Sequence, residues 1–396
     1  MSIVIAGSYL GTDQHLLYDG DHYRWISDIP DDSWMFGFDD SRDLREIATA
    51  MGFEIGGFES SPHSKAFSKI ISGIPIPWIH TMPSDQFQKQ LSGLVDQLWM
   101  LTNDNYVGYY MKEFVINRET LDSLSTPMID VDEFDRVCDL YSASHKIQEI
   151  KKFKPDSDGF SPKTRYNLAG SITGRLTVSS GPNILTLKKE HRSIFKSRFM
   201  GGKIIQVDIS SLEPRIALGI AKKQAPDDIY TFVRDSVLSG DVTRNQAKVA
   251  VLSCIYGGGA WSLSKRLPDN LDSHSVLSSV KSYFNISKLH NRLKREYHQR
   301  GLIKNLYGRP IRSGEALVNH YLQSTGVDVS FDVFRSILSK LNEFNFEHIP
   351  VYVIHDAIVL DITSESLRGL REIVQDGIYV ESVGSSFPVK IEIIKE

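Results

Sequence analysis

Two aspartates are the first candidates for catalytic residues in this chain, because each lies at the end of an apolar run. Asp208 ends the β-rich run Lys203–Asp208, and Asp356 follows 148 positions later between two further apolar runs. Carboxylates at strand ends can hold divalent cations, and two such cations about 4 Å apart are what phosphoryl transfer from a nucleoside triphosphate needs. Taken alone, each aspartate is more often a turn or capping residue, so a second feature is required.

A segment of helical composition, Arg244–Tyr256, provides a second feature. Arg244 and Lys248 are four positions apart and therefore share a helix face, which Leu252 and Tyr256 continue. Two cations followed by apolar and aromatic surface could hold a triphosphate at one end and a base at the other. By itself the segment is better explained as an amphipathic helix whose cations are solvated.

The elements that must position these residues follow from apolar periodicity and turn residues. Thr243 is a candidate N-cap for the Arg244–Tyr256 helix. His355 and Asp356 lie at the tip of a predicted hairpin. The other predicted elements are the hairpin strands Val351–Ile354 and Ala357–Leu360, one or two helices over residues 276–300, helices over Ala316–Phe344 and Val131–Phe153, and a linker at Lys154–Ser161.

The first 115 residues have a different pattern, in which short apolar runs alternate with Gly, Pro and Asp clusters. The runs are Ile3–Ala6, Trp34–Phe38 and Ile70–Ile76, and a helical stretch follows near Gln86–Leu101. This alternation indicates a small α/β unit.

Composition is that of an average globular protein, with 41% hydrophobic and 24% charged residues. No stretch approaches the roughly 20 apolar residues that a membrane span needs, and the N-terminus lacks the basic region of a secretory signal. Cys138 and Cys254 cannot form a disulfide framework. We therefore expect a cytoplasmic protein without a membrane partner.

Charge is distributed unevenly, although the net charge is only −4. Residues 1–60 carry twelve acidic and three basic side chains, whereas residues 288–312 carry eight Lys or Arg and one Glu. A local basic segment can contact phosphates in an acidic chain because salt screens charges beyond roughly 10 Å. A solvated helix face would have the same composition.

The same residues match, in order, the motifs of A-family DNA polymerases, and the chain resembles that family over roughly residues 160–396. Asp208 to Arg215 resembles motif A, Arg244 to Gly257 resembles motif B, and His355-Asp356 resembles motif C. Three shorter segments are also similar to the family: Thr173-Gly174-Arg175-Leu176 with Pro182-Asn183, Tyr307-Gly308-Arg309, and Leu322-Gln323-Ser324. Six motifs in the right order are far more specific than any one.

This resemblance implies a role for each matching residue. Asp208 and Asp356 would bind two Mg²⁺ ions, with Mn²⁺ as a substitute and the carbonyl of Ile209 as a further ligand. Lys248 would contact the triphosphate and donate a proton to pyrophosphate. The remaining implied roles are Arg244 at the phosphates, Tyr256, Gly257 and Leu252 beside the nascent base pair, Glu213 as a steric gate against a 2′-hydroxyl, Arg175, Gln323 and Arg309 at the primer-template, and His355 at the primer terminus.

Three positions depart from the family pattern. Ile209 stands where motif A usually has an aromatic residue, and Leu252 stands where DNA polymerases usually have Phe or Tyr. Ala357 replaces the Glu of motif C, a loss that we expect to change the rate or metal preference without abolishing activity. Related single-subunit RNA polymerases also lack an aromatic residue at the Leu252 position, so the choice of sugar is less secure than Glu213 suggests.

The fold that this resemblance implies is α+β: a right-hand polymerase with an antiparallel-sheet palm and helical fingers, plus a small N-terminal α/β domain. The predicted domains are an N-terminal domain over residues 1–130, a thumb-like helix and linker over 131–159, palm over 160–220 and 316–396, and fingers over 221–315. Phe36–Asp40 and Val107–Phe114 faintly resemble exonuclease segments, but the Asp-x-Glu pair of such enzymes is absent. We therefore expect the N-terminal domain to be exonuclease-like but degenerate, or unrelated.

The predicted function is template-directed DNA synthesis, in which deoxynucleotides are added to a primer 3′-hydroxyl with release of pyrophosphate. The expected partners are DNA primer-template, dNTPs, and a processivity factor or another replication protein, in a phage-encoded enzyme of a bacterial cytoplasm. Two alternatives stay open. One is a single-subunit RNA polymerase or primase on the same scaffold, which Leu252 favours and Glu213 opposes. The other is a polymerase-like subunit that grips primer-template without chemistry.

Overall fold

The computed structural model describes residues 2–58, 62–70, 76–104, 108–142, 147–238, 242–268 and 271–395. The chain divides into two compact units, one of residues 1–118 with 308–310 and one of residues 119–307 with 311–396. The predicted domain of residues 1–130 extends past the end of the first unit. This is because Met128–Ile129 forms a strand that pairs with Phe195–Lys196 of the second unit.

The first unit combines a small sheet with helices. Its strands are β1 Ile3–Ile5, β2 His15–Tyr18, β3 Tyr23–Ile26 and β4 Trp34–Phe36, in the order β3-β2-β1-β4, with β1 and β4 parallel. The helices in this part of the chain are α1 Gly7–Leu10, α2 Leu44–Met51, α3 Pro62–Ile70, α4 Ser84–Asn103 and α5 Gly108–Asp122, whose end crosses into the second unit. Of the predicted apolar runs, Ile70–Ile76 falls largely on residues 71–75, which lie outside the described residues.

In the rest of the chain, the described helices contain more residues than the described strands. They are α6 Val131–Leu140, α7 Ile147–Lys151, α8 Leu212–Ile220, α9 Ile229–Phe232, α10 Arg244–Ile255, α11 Ala260–Ser264, α12 Ser273–Tyr283, α13 Ile286–Arg300, α14 Leu317–Glu343 and α15 Ser364–Val374. The predicted helix Val131–Phe153 is wrong as one element, since α6 ends at Leu140 with Tyr141 as its C-cap. The predictions for residues 244–256, 276–300 and 316–344 are confirmed to within one to three residues at each end.

Strands of this part of the chain are mostly short. They are β5 Met128–Ile129, β6 Arg165–Asn167, β7 Thr177–Ser180, β8 Phe195–Lys196, β9 Lys203–Ile209, β10 Ile303–Lys304, β11 Pro310–Ile311, β12 His348–Ile354, β13 Ala357–Ile362, β14 Ile378–Val380, β15 Ser385–Phe387 and β16 Val389–Lys395. The predicted hairpin is β12 and β13, with His355 and Asp356 between them. Among the described helices of the whole chain, none is both long and apolar enough to cross a membrane.

One antiparallel sheet, with strand order β12-β13-β9-β16, forms the centre of the second unit. All six residues of β13 are buried, as expected for a strand paired on both sides and covered on both faces. The long helix α14 passes α8 closely at Gly326, where an added Cβ would lie 3.2 Å from the Leu212 side chain. Because α8 directly follows β9, this packing connects α14 to the end of the strand that carries Asp208.

Candidate catalytic site

Two strand connections bring the aspartates together. Asp208 is the penultimate residue of β9, and Asp356 is the second residue of the tight turn between β12 and β13. Ala357 is paired directly with Asp208, and the backbone N–H of Ile209 donates to the carbonyl of Asp356 at 3.1 Å. Residues that are 148 positions apart in sequence are therefore adjacent, held there by backbone hydrogen bonds rather than by side-chain contacts.

Burial raises the pKa of both carboxyl groups, and like charge adds to this effect at Asp208. Burial, and secondly the charge of Asp356, raise the pKa of Asp208 to about 6. Burial is also the largest cause that raises the pKa of Asp356. Two half-buried carboxylates side by side form a site with excess negative charge, which a bound divalent cation would offset.

The donor set of this site fits magnesium. Magnesium uses one or two protein carboxylates and takes its other ligands from water and substrate phosphates. Among the described residues, no group of three or more His, Cys, Asp or Glu side chains is arranged to hold a metal ion. Asp208 and Asp356 would thus provide the carboxylates, and substrate oxygens would complete the coordination.

The turn that carries Asp356 is constrained from two directions. His355 has a φ of +57°, a conformation that non-glycine residues adopt rarely and that often occurs at functional sites. Behind the turn, the buried Tyr166 hydroxyl donates to the Val353 carbonyl at 2.9 Å and accepts from the Val353 N–H at 3.1 Å. Tyr166 belongs to β6, which pairs with β7 just beyond Arg175. The Tyr166 contact thus links the hairpin of Arg175 to the strand that leads into His355.

A cleft beside this turn collects the other residues that were predicted for the primer terminus and the sugar. Its lining includes Arg175, Glu213, Gln323, His355 and Asp356. The Arg175 guanidinium lies 3.7 Å from the Glu213 carboxylate. Burial raises the pKa of Glu213, whereas burial and then the charge of Arg175 lower the pKa of His355. The prediction that these residues share one site agrees with this lining.

Helix α10 supplies the cations. Thr243 forms a capping box with Gln246, which fixes where the helix begins. Arg244 and Lys248 follow on one face, and both cationic groups lie over the ring of Tyr230, at 5.4 Å and 5.7 Å from its centroid. Lys248 is exposed and lowers the pKa of Asp356 by its charge, so this cation acts electrostatically on the carboxylate pair.

The C-terminal end of α10 reaches the same cleft. The Tyr256 hydroxyl donates to the Glu213 carboxylate at 3.3 Å. Gly257 follows with a φ of +76°, which suits glycine, and Leu252 is half-buried one turn earlier. Along α10, the two cations near its start are therefore followed by Tyr256 at its end, whose hydroxyl contacts Glu213, the predicted steric gate.

Arg309 is a further residue that was predicted to contact the primer-template. It belongs to the first unit, is 2% exposed, and donates to the Tyr110 hydroxyl at 3.0 Å. A guanidinium buried against a tyrosine is not accessible to phosphate in this conformation, so we do not carry Arg309 into the proposed site. Its place in a family-like motif could not reveal this, because burial depends on α5, almost 200 positions away.

Sequence reasoning overlooked two side chains that hold the cations of α10. Asp228 accepts hydrogen bonds from Arg244 Nε at 2.7 Å and from its terminal nitrogen at 3.2 Å. Tyr230 supplies the ring beneath Arg244 and Lys248. The sequence offered one signal, since Asp is a preferred N-cap residue and Asp228 caps α9. Its pairing with Arg244 depends on tertiary structure.

Two comparisons with known proteins give a match. A family model described as DNA polymerase family A matches residues 88–394. Among solved structures, the chain is similar to the POL domain of Pol1 from M. smegmatis in complex with DNA primer-template and dNTP, with 12% sequence identity and a TM-score of 0.59. The match covers 99% of this chain and 94% of that chain. No curated protein sequence matches the chain.

Coverage of the family model also corrects the extent of the resemblance. The sequence motifs placed it at roughly residues 160–396, whereas the matched region begins at residue 88 and includes α5 and most of α4. The segment Val107–Phe114, which faintly resembles an exonuclease motif, therefore lies inside the polymerase match. At 12% identity the structural likeness concerns the fold.

Proposed function

We propose, from the premise that the chain belongs to DNA polymerase family A, that it adds deoxynucleotides to a primer 3′-hydroxyl by two-metal nucleotidyl transfer at Asp208 and Asp356. As a member of this family the chain is a template-directed DNA polymerase. The proposed mechanism rests on the adjacency of the two carboxylates. This adjacency results from the register of β9 and β13 and from the 3.1 Å hydrogen bond between the Ile209 N–H and the Asp356 carbonyl.

The chain's own residues would divide the chemistry between them. Bound divalent cations would activate the primer hydroxyl and offset the charge of the triphosphate. Asp208 and Asp356, with the carbonyl of Ile209, would hold those cations. Arg244 and Lys248 would bind the phosphates, and Lys248 would give a proton to the departing pyrophosphate.

Residues of the cleft would position the nucleic acid and check the sugar. Arg175 and Gln323 would contact the minor-groove edge of the primer-template end, where every base pair presents an acceptor. His355 would hold the primer terminus. Glu213, fixed by Tyr256 and Arg175, would lie beneath the sugar so that a 2′-hydroxyl clashes with it.

In architectural terms, we propose that residues 160–220 and 316–396 form a palm around the sheet β12-β13-β9-β16. Residues 221–315 would form the fingers, in which α10 closes on the incoming nucleotide as lids do in many transferases. The basic residues of α13 would face the template, where phosphate contacts position a duplex without reading its sequence.

Primer extension tests the proposed function directly. With a DNA primer-template and Mg²⁺, we expect extension by dNTPs and its loss in Asp356→Ala, while the variant still binds primer-template. Extension that persists in the variant would contradict the assignment of the site. Tight binding without extension in the unaltered protein would favour a subunit that grips DNA without chemistry.

Sugar choice requires a separate test, since Leu252 leaves RNA synthesis as the second candidate function. We expect the unaltered chain to prefer dNTPs and Glu213→Ala to incorporate NTPs at least tenfold better, a loss of about 1.4 kcal/mol of discrimination. The matched control is Leu252→Phe, which introduces the usual residue and should leave dNTP use intact. A preference of the unaltered chain for NTPs would establish the alternative.

A further inference from the structure

The residue paired with Asp208 on its outer side is a lysine. In the sheet register, β9 lies between β13 and β16, so Asp208 faces Ala357 on one neighbouring strand and Lys390 on the other. Residues directly opposite in antiparallel strands point to the same face, with Cβ atoms about 5 Å apart. Lys390 is therefore an immediate neighbour of the carboxylate pair, on the same face of the sheet.

Lys390 differs in its contacts from other lysines near this sheet. Lys189 is paired with Glu392, and Lys395, at the far end of β16, is paired with Asp130 at 3.7 Å. Within the described part of the chain, Lys390 forms no such ion pair, and its side chain is exposed. Its charge nevertheless acts on the pair, because it lowers the pKa of Asp208 against the larger effect of burial.

Of the two residues paired with Asp208, only Lys390 carries a charge. Ala357 adds no carboxylate at the position directly opposite, and Lys390 adds a cation. A divalent ion held at Asp208 would share this face of the sheet with the Lys390 side chain, and the two positive charges would repel each other. Triphosphate brings further negative charge, which offsets this repulsion beyond what the two carboxylates of the protein provide.

We propose that Lys390 is a positioning residue that weakens divalent-cation binding to the free protein, so that metal binds at Asp208 mainly together with a negatively charged substrate. This inference rests on the proposed two-metal site. It goes beyond that site because it assigns a role to a residue outside the motifs and makes metal affinity depend on substrate charge.

The test measures Mn²⁺ binding to the full chain without DNA or nucleotide, by the electron paramagnetic resonance signal of free Mn²⁺. Lys390→Gln removes the charge and keeps most of the side-chain length, and we expect roughly three- to tenfold tighter binding at low salt. The gain should shrink as ionic strength rises, because salt screens exposed charges. Lys390→Arg keeps the charge and should bind Mn²⁺ as the unaltered chain does.

Lys395→Gln is the matched control, since it removes a lysine from the same strand, opposite Ile204 instead of Asp208. It should leave Mn²⁺ affinity unchanged. The same Mn²⁺ affinity in Lys390→Gln and the unaltered chain would overturn the inference, as would weaker primer-template or dNTP binding with no change in metal affinity. That last result would make Lys390 a phosphate contact instead.

Failure of this inference can be distinguished from failure of the proposed function. Mn²⁺ binding to free protein requires no catalysis, and Asp208→Asn should weaken it whether or not the chain extends primers. Persistent extension by Asp356→Ala would refute the site, whereas unchanged Mn²⁺ binding by Lys390→Gln would refute only the role of the lysine.

Discussion

The carboxylates and the cations of the site are held by different means. Asp208 and Asp356 are positioned by strand register and by a backbone hydrogen bond, in a sheet whose strand β13 is fully buried. Arg244 and Lys248 project from a helix and are held by side chains, namely the carboxylate of Asp228 and the ring of Tyr230. Metal ligands must keep their geometry within about 0.5 Å, whereas groups that close on a substrate must be able to move.

We therefore predict that substitution of the aspartates of the sheet abolishes primer extension, whereas substitution of the cations of α10 only slows it. The largest effect is expected for Asp208→Asn, which removes a metal ligand while keeping side-chain size. We expect the rate of primer extension to fall on the order of 10³-fold or more. The melting temperature should not fall, because the substitution removes a charge that Asp356 repels.

A second buried aspartate of the same sheet provides the control. Asp361 lies on β13 and accepts hydrogen bonds from the Ser197 hydroxyl and the Arg198 N–H. Asp361→Asn should lower the melting temperature and leave the extension rate of the folded fraction nearly unchanged. If Asp208→Asn instead kept a rate within tenfold of the unaltered chain, the two-metal assignment would be wrong.

Lys248→Ala should have the next largest effect. Loss of a cation that stabilises charge in the transition state, and that donates a proton, should lower kcat by about 10²-fold. Single-turnover incorporation measures this step. Lys265→Ala is the control, since Lys265 lies over the exposed ring of Trp261 at 3.5 Å from its centroid and should not affect kcat. Equal rates for the two variants would argue against a chemical role for α10.

The elements that local sequence signals specify could be predicted from the sequence, whereas contacts between distant residues could not. Apolar runs that end in polar residues predicted β9 and the hairpin of β12 and β13, because strand pattern and turn residues are local signals. Thr243, as a candidate N-cap, predicted where α10 begins for the same reason. These local signals were enough to place both aspartates at the ends of strands.

What the sequence could not provide is pairing across the fold. No local pattern shows that Lys390 lies opposite Asp208 or that Asp228 holds Arg244, since register and tertiary packing decide both. The same limit applies to Arg309, whose motif suggested contact with DNA and whose side chain is buried against Tyr110. The single helix predicted over Val131–Phe153 was also wrong, since its composition did not reveal the end of α6 at Leu140.

Tyr166→Phe tests how strongly the geometry of the turn that carries Asp356 depends on the Tyr166 hydroxyl. The substitution removes one hydroxyl and leaves the Val353 N–H and carbonyl without that partner, at a cost of about 1–3 kcal/mol in the free energy of unfolding. Because Val353 leads into the turn of His355 and Asp356, we expect kcat to fall roughly tenfold with little change in KM for dNTP.

Tyr379→Phe is the matched control, since it removes a hydroxyl from a tyrosine that is 65% exposed. It should change neither stability nor kcat. A Tyr166→Phe variant that is destabilised yet keeps its full kcat would show that the hydroxyl supports the fold alone and not the geometry of the turn.

The smallest expected effect concerns the side-chain contact that holds the helix cations. Burial alone would raise the pKa of Asp228, but hydrogen bonds from Arg244 and Thr231 lower it to about 2. A carboxyl group whose pKa is lower in the folded state stabilises the fold above its unfolded pKa of about 4, and this contribution is lost as the pH falls toward 2. Asp228→Asn should therefore lower the melting temperature slightly at pH 7, and the difference from the unaltered chain should shrink below about pH 4.

The substitution Arg244→Gln separates the two causes that lower the pKa of Asp228, namely the hydrogen bonds from Arg244 and those from Thr231. In its background, Asp228→Asn should lose part of its effect at pH 7, because the ion pair is already absent while the hydrogen bonds from Thr231 remain. Melting curves of the four proteins at pH 7 and at about pH 3 measure this coupling. Additive effects at both pH values would mean that Arg244 is not held by Asp228 in solution. The side chains of Arg244 and Lys248 would then move in solvent, and they would differ from the fixed carboxylates even more than the structure indicates.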